Sequence, residues 1–339
     1  MIKDLTKTLL VGLAVTAAGA TTAAAQTTLR IQNHLGQSSP YGVAIQKFVE
    51  DVATMSDGAL QIEMFYSSAV VPTTETFDAA KNGIIDCDMT NGGYQVGKNA
   101  AFQFVADTMG GYDTPLQLMS WIYQGGGREA INELYATHNM TYVGGHVGGH
   151  ESLNSSRPLN GISDLENFKF RSPPGMESDI FASLGAKPVV MDFTEIVTAL
   201  ESGIIDGADA STLATNLNIG IYDVAKHTTY PGFHSMSADH LACRSDVWNA
   251  LSDQHKTIIE VAEKALAMEV MMSTLIQNGE ALQKLPEMGV TTYNWSEEDR
   301  ATFRNAALAA WKDWGAKSPE AGKLVQSHVE FLQRIGLLE

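Results

Sequence analysis

Outside one run near its N-terminus the chain has no long apolar stretch, and it is short of cations, aromatics and cysteine. Only 22 Lys and Arg stand against 39 Asp and Glu, a formal charge of −17 at pH 7. Such a surface repels the phosphates of nucleic acid and anionic lipid, so no nucleic-acid partner is expected. An anionic ligand would need positive charge supplied locally, which gives weight to any arginine at a strand end. The two cysteines, Cys87 and Cys243, sit far apart in apolar contexts. An oxidising compartment permits a bridge between them. A chain this size does not require one, however, and two buried free thiols are the favoured reading. No G-x-S-x-G elbow, H-E-x-x-H or C-x-x-C is present, which removes the usual hydrolase and redox signatures.

The one apolar run, Leu9–Val15, follows Lys3 and Lys7 and is closed by Ala23-Ala24-Ala25-Gln26. This is the order of a secretory signal peptide, with cleavage expected after Ala25, and the run is well short of the roughly 20 residues of a spanning helix. Export to the periplasm is therefore expected. The remaining length and a hydrophobic content of 44% suit two domains with real cores.

The tetrapeptide Gly-Ile-Ile-Asp occurs twice, at 83–86 and 203–206. Before each lies a short helical pattern for which the glycine supplies a left-handed cap, and after each glycine the apolar pair predicts the start of a buried strand. Upstream the match continues. Leu29–Gln32 reads as a strand, Tyr41–Met55 as a helix and Leu60–Tyr66 as a strand; in the second half the same order runs Phe168–Arg171, Met176–Leu184, Pro188–Met191. One α/β topology built twice predicts a central ligand cleft between two similar α/β domains, at the ends of equivalent strands. Asn91 and Asp209, just past the two repeats, are the related positions expected there, with the repeat serving to grip a ligand from both sides.

A third part, led by a helical pattern over Ala250–Gln283, predicts long bracing helices, with Ser296 and Asp299 as an N-cap pair. The boundaries drawn are 1–25 for the leader, 26–147 plus about 235–265 for the first domain, and 148–234 plus about 266–339 for the second domain and the braces. Two near-motifs fall away. Gly92–Asn99 has Asn99 where a phosphate loop holds magnesium with Ser or Thr, and the two glycines between His146 and His150 argue against the helix that would aim both at one zinc ion.

The second half resembles the solute-binding proteins of TRAP (tripartite ATP-independent periplasmic) transporters. The matching text is Asp164–Gly175, Leu184–Val189 and Thr198–Asp209, with Ser155–Leu159 and Phe77–Asp88 also fitting. The resemblance implies an extracytoplasmic receptor, not an enzyme, that closes on an organic acid and delivers it to the small and large membrane subunits of a permease. It places the family's carboxylate-binding arginine on Arg171, whose planar fork matches a carboxylate. The pattern is nearest to the 2-oxo acid and hydroxy acid binders, from Tyr230–His234 and Gly125–Gly127. His150 then stands where that subgroup has Gln, Ala210 where it has Trp, and Ser235 where it has an acid. With only Asp209 kept as a carboxylate ligand, a sodium or calcium ion bridging to the ligand is in doubt. The missing Trp implies room for a bulkier acid, with Phe233, Tyr94 and Tyr66 as candidate walls. The alternatives are a receptor that signals to a membrane sensor, or an exported enzyme using His150 and Asp209 as an acid-base pair.

Overall fold

In the computed structural model, which describes residues 26–338, Leu29 and Ile31 turn inward along β1 (Thr27–Asn33). The expected leader, 1–25, lies outside the described residues. Ser39 then caps α1 (Pro40–Met55), its hydroxyl accepting from the Gly42 N–H at 3.0 Å, with Pro40 in the first turn. The unit continues through β2 (Leu60–Phe65), α2 (Thr76–Lys81) and β3 (Cys87–Met89). Three helices follow, α3 (Gln103–Ala106), α4 (Pro115–Gln124) and α5 (Gly127–Ala136), leading to β4 (Met140–His146). After β5 (Asn154–Ser155) the order repeats as β6 (Lys169–Ser172), α6 (Met176–Ser183), β7 (Lys187–Val190), α7 (Ile196–Glu201) and β8 (Gly207–Ala208). The chain ends with α8 (Leu213–Asn218), α9 (Ile221–Val224), β9 (His227–Thr229), β10 (Asp239–Arg244), α10 (Ser245–Ala250), α11 (Asp253–Lys284), β11 (Thr291–Tyr293), α12 (Glu297–Gly315) and α13 (Pro319–Arg334).

Two mixed sheets result, ordered β2-β1-β3-β10-β4 and β11-β9-β5-β8-β6-β7. In each, the repeated unit is a parallel trio, β2-β1-β3 and β7-β6-β8, closed by an antiparallel neighbour, β10 or β5. The doubled α/β architecture expected from the sequence is present. Three segments pass between the sheets: 147–153, 230–238, and the stretch from β10 to β11 that contains α11.

Three expectations change. The Ile-Ile pair does not open a strand: Ile84 and Ile204 are exposed while Ile85 and Ile205 are buried, and the strands begin only at Cys87 and Gly207. The pair is a turn that drops one side chain into the core. Cys87 and Cys243 form a disulfide, because β3 and β10 are antiparallel neighbours with these two residues in register; sequence separation hid a pairing that sheet order creates. The last helix, α13, placed with the second domain in the sequence reading, packs on α5 and α3 beside the first sheet, since its buried face of Ala321, Leu324, His328, Phe331 and Leu332 has its apolar partners there.

The left-handed glycine caps stand, at φ 82° for Gly83 and 67° for Gly203. So does the Ser296 cap, which accepts from the Asp299 N–H. The long helical pattern is broken at Leu251-Ser252, where Ser252 caps α11. No described helix is long and apolar enough to cross a membrane.

Candidate functional site

The strand ends of both parallel trios open on one cavity, as the switch-point rule for α/β sheets requires. Its volume is about 70 Å³, room for several water molecules or a small ligand. From the second sheet it is lined by Arg171, Asp209 and Ala210, with Phe193 beside them. From the first it takes His34, Asn91, Tyr94 and Asp107, and from the crossing segments Glu151, Ser235, Ser237 and Asp239.

Arg171 sits where β6 must end, because Pro173 and Pro174 follow and proline offers no N–H to a ladder. The residue is 2% exposed, yet forms no ion pair within 4 Å among the described residues. Nε donates to the Met191 carbonyl at 3.2 Å and Nη1 to the Asp209 carbonyl at 2.8 Å. No protein hydrogen bond engages Nη2 among the described residues. The guanidinium is thus aimed by backbone carbonyls and packs near the Phe193 ring, 6.0 Å from its centroid. A buried charge held this way can take a carboxylate.

Opposite it, two carboxylates converge on one hydroxyl, with a third, Asp209, close by. Ser235 Oγ lies 2.5 Å from Asp107 Oδ2 and 3.0 Å from Glu151 Oε2, and the Asp209 carboxylate is close enough for its charge to act on Glu151. A serine has one proton to give, so carboxyl protons or a cation must complete the set. Burial, and secondarily the Asp209 charge, push Asp107 up to about 7. Burial with the Asp209 and Asp107 charges pushes Glu151 well above its usual range. Glu177 rises for the same reasons, burial first. Asp209 moves the other way: burial alone would raise it, but the 2.8 Å hydrogen bond from His234 Nε2 and the nearby Arg171 hold it down.

Glu177, Asp209 and His234 also bring ligand atoms within 4.8 Å of one another. His234 Nε2 is committed to Asp209, and Glu177 Oε1 is buried without a partner. Asp107, Glu151, Asp209 and Ser235 offer oxygens of the kind a hard cation such as sodium or calcium takes, but their ligand atoms do not converge as closely as those of Glu177, Asp209 and His234. Two acids at this set, Asp107 and Glu151, were not in the sequence reading.

Of the residues named from sequence, Arg171, Asn91, Asp209 and Tyr94 come together here. His150, Phe233 and Tyr66 do not. His150 and Phe233 line a separate crevice with Tyr112, Asp113 and Arg300. In the segment 147–153 Glu151 lines the cavity while His150 turns to the Asp113 carbonyl, 3.0 Å from Nε2. Phe233 stacks on Trp295 at 4.4 Å. Tyr66 is half-buried against the first-sheet core, with its hydroxyl on Gln46. His146, the other histidine of the rejected zinc pattern, pairs with Glu263 at 3.0 Å in the core. Ala210 does line the cavity, but the space it leaves is small. The strand-end rule that pointed to Arg171 applies equally to His34, the first residue after β1, and that signal was available. Glu151, Ser235 and Asp239 lie on crossing segments or at the mouth of the late-joining β10, and no local pattern marks them.

A model of the bacterial extracellular solute-binding protein family 7 matches residues 31–318. The chain is 27% identical over 295 residues to a monocarboxylate 2-oxoacid-binding periplasmic protein of Nostoc sp., covering 86% of this chain and 80% of that one. A TRAP periplasmic solute binding protein from Rhodobacter sphaeroides, solved as an apo open structure, is 31% identical, with a TM-score of 0.74 over 92% of this chain and 99% of that one. Another from Colwellia psychrerythraea, with bound calcium and pyruvate, is 23% identical with a TM-score of 0.80, covering 91% of this chain and 95% of that one. With most of its length matched, the chain belongs to the family 7 extracellular solute-binding proteins, the periplasmic binding components of TRAP transporters.

Proposed function

We propose that this protein binds a compact organic acid anion between its two sheets and passes it to the small and large membrane subunits of a TRAP permease in the periplasm. Arg171 takes the carboxylate. Asp209, Glu151, Asp107 and Ser235 hold a sodium or calcium ion, whose charge would neutralise the acids and draw the ligand's carboxylate or adjacent oxo or hydroxyl oxygen. The observation that carries the reading is the buried Arg171, positioned by two carbonyls and unopposed by any acid within ion-pair distance. The calcium and pyruvate bound by the Colwellia relative support the class of ligand and ion. Hinge closure about the three crossing segments would enclose the ligand.

The test is calorimetric titration of the chain from residue 26 with short 2-oxo and hydroxy acids, with and without sodium and calcium, alongside Arg171→Ala and Arg171→Lys. Binding to the wild type should fall at least a hundredfold in Arg171→Ala, and Arg171→Lys should recover little of it, because an ammonium cannot present the fork. Affinity that is unchanged in Arg171→Ala would overturn the site, and failure of every acid would overturn the ligand class.

A further inference from the structure

The first-sheet wall of the cavity carries charge that neither Arg171 nor the cation set addresses. Asp239 opens β10 and sits opposite Asn91 through an isolated antiparallel bridge, so sheet pairing sets both at the cavity mouth of the first unit. Its carboxylate has only weak company. Asn91 Nδ2 lies 3.4 Å from Oδ1 and is better satisfied by Ser237 Oγ at 2.5 Å and the Ala238 carbonyl at 3.1 Å. His34 Nε2 is 3.9 Å from Oδ2, outside hydrogen-bond range. The Asp239 side chain is nonetheless only 13% exposed and that of His34 only 8%. His34 Nδ1 is buried with no partner at all. A largely desolvated carboxylate and an unsatisfied imidazole on one wall are costly unless something completes them.

These two groups are tied spatially to the arginine wall. The His34 and Phe193 rings meet edge-on at 6.0 Å, and Phe193 in turn lies 6.0 Å from the Arg171 guanidinium. His34 also meets Tyr94 edge-on, and Tyr94 feels the charges of both Arg171 and Asp239. A short ligand held by Arg171 at one end therefore presents its other end to Asp239 and His34. Resting on the carboxylate-binding reading above, we propose that Asp239, with His34, is the specificity-determining subsite for the ligand's distal end. It takes a hydrogen-bond donor, a hydroxyl or a protonated amine, and excludes a second carboxylate by like-charge repulsion. The ligand class narrows to monocarboxylates with a distal O–H or N–H donor.

The experiment uses a matched four-carbon series differing only at the far end: butyrate, 4-hydroxybutyrate, 4-aminobutyrate and succinate. Each is titrated into wild type, Asp239→Asn and His34→Ala with calcium or sodium held fixed, and folding of each variant is checked by its thermal midpoint. Wild type should bind the hydroxyl or amino acid at least tenfold tighter than butyrate, with succinate weakest. The two donor arms say whether hydroxyl or ammonium is the natural end. In Asp239→Asn the succinate penalty should shrink at least tenfold and any preference for the amine should vanish, while His34→Ala should weaken the donor acids several-fold more than butyrate. The proposal is overturned if succinate or butyrate binds wild type as well as the donor acids, or if the ranking survives in Asp239→Asn. If none of the series binds while other organic acids still require Arg171, the donor subsite fails and the carboxylate reading stands. If no acid depends on Arg171, both fall.

Discussion

Ser235 has one hydroxyl proton and two carboxylates in reach, so the state of Asp107 and Glu151 depends on pH and on any cation present. The sign follows from where Asp107 holds its proton. Its usual value near 3.8 is raised to about 7 by burial. Between those pH values the folded protein binds a proton that the unfolded chain has lost, so stability falls as pH rises from about 4 to about 7. The crowding of Glu151 and Glu177 acts in the same direction. Ligand-free protein in chelator should therefore melt lower at pH 8 than at pH 5, and Asp107→Asn should flatten that slope. Calcium should raise the midpoint more at pH 8, where it displaces fewer protons. Equal calcium shifts at both pH values would show that these acids do not hold the ion.

At the scale of elements, the repeated Gly-Ile-Ile-Asp corner has a structural task that differs from the one expected of it. Asp86 Oδ2 accepts from the Arg30 backbone N–H at 2.8 Å, and Asp206 Oδ2 accepts from that of Lys169 at 3.2 Å. In return the Asp86 and Asp206 N–H groups donate to the Arg30 and Lys169 carbonyls. Each aspartate ties the turn after a helix to the first strand of its own unit and takes no part in the cavity. Asp206→Ala should thus lower stability by about 1 kcal/mol and leave ligand affinity within twofold. A tenfold loss of affinity with unchanged stability would restore the gripping role. The unit itself was legible in the sequence because periodicity, glycine caps and element order are local properties. Arg171 was legible because the resemblance places the family's carboxylate-binding arginine there, at a strand end facing the expected cleft. The disulfide, Glu151 and Asp239 were not, because each depends on which distant strand or crossing segment becomes a neighbour: β10 enters the first sheet only after the chain has built most of the second. His150 was misplaced by one residue: its neighbour Glu151 lines the cavity instead.

For the whole molecule, the question is what holds the two units together around so small a cavity. Beyond the crossing segments, Gln103 spans them directly. It follows β3 in the first unit, donates from Nε2 to the Asp107 carbonyl at 2.9 Å, and accepts at Oε1 from the Met176 N–H at 2.7 Å, where α6 of the second unit begins. Gly175 lets the two approach: its φ of 133° suits glycine, and a Cβ there would fall 2.3 Å from Gln103 Oε1. One such bond is worth about 1 kcal/mol net, small for folding but large for an equilibrium between open and closed forms. A ligand that binds the closed form feels any loss of that population directly. Gln103→Ala should therefore weaken binding by roughly fivefold to tenfold for every ligand alike, since 1.4 kcal/mol is tenfold. The loss should appear in dissociation rate, with association nearly unchanged. Gly175→Ala should act in the same direction through the clash. Solution scattering of the ligand-free variants should give a larger radius of gyration than wild type, and saturating ligand should restore a common value. If instead the variants change the ranking of acids, Gln103, which already lines the cavity, acts on the ligand directly and closure must be stabilised elsewhere, in the segments 147–153 and 230–238 that carry Glu151 and Ser235.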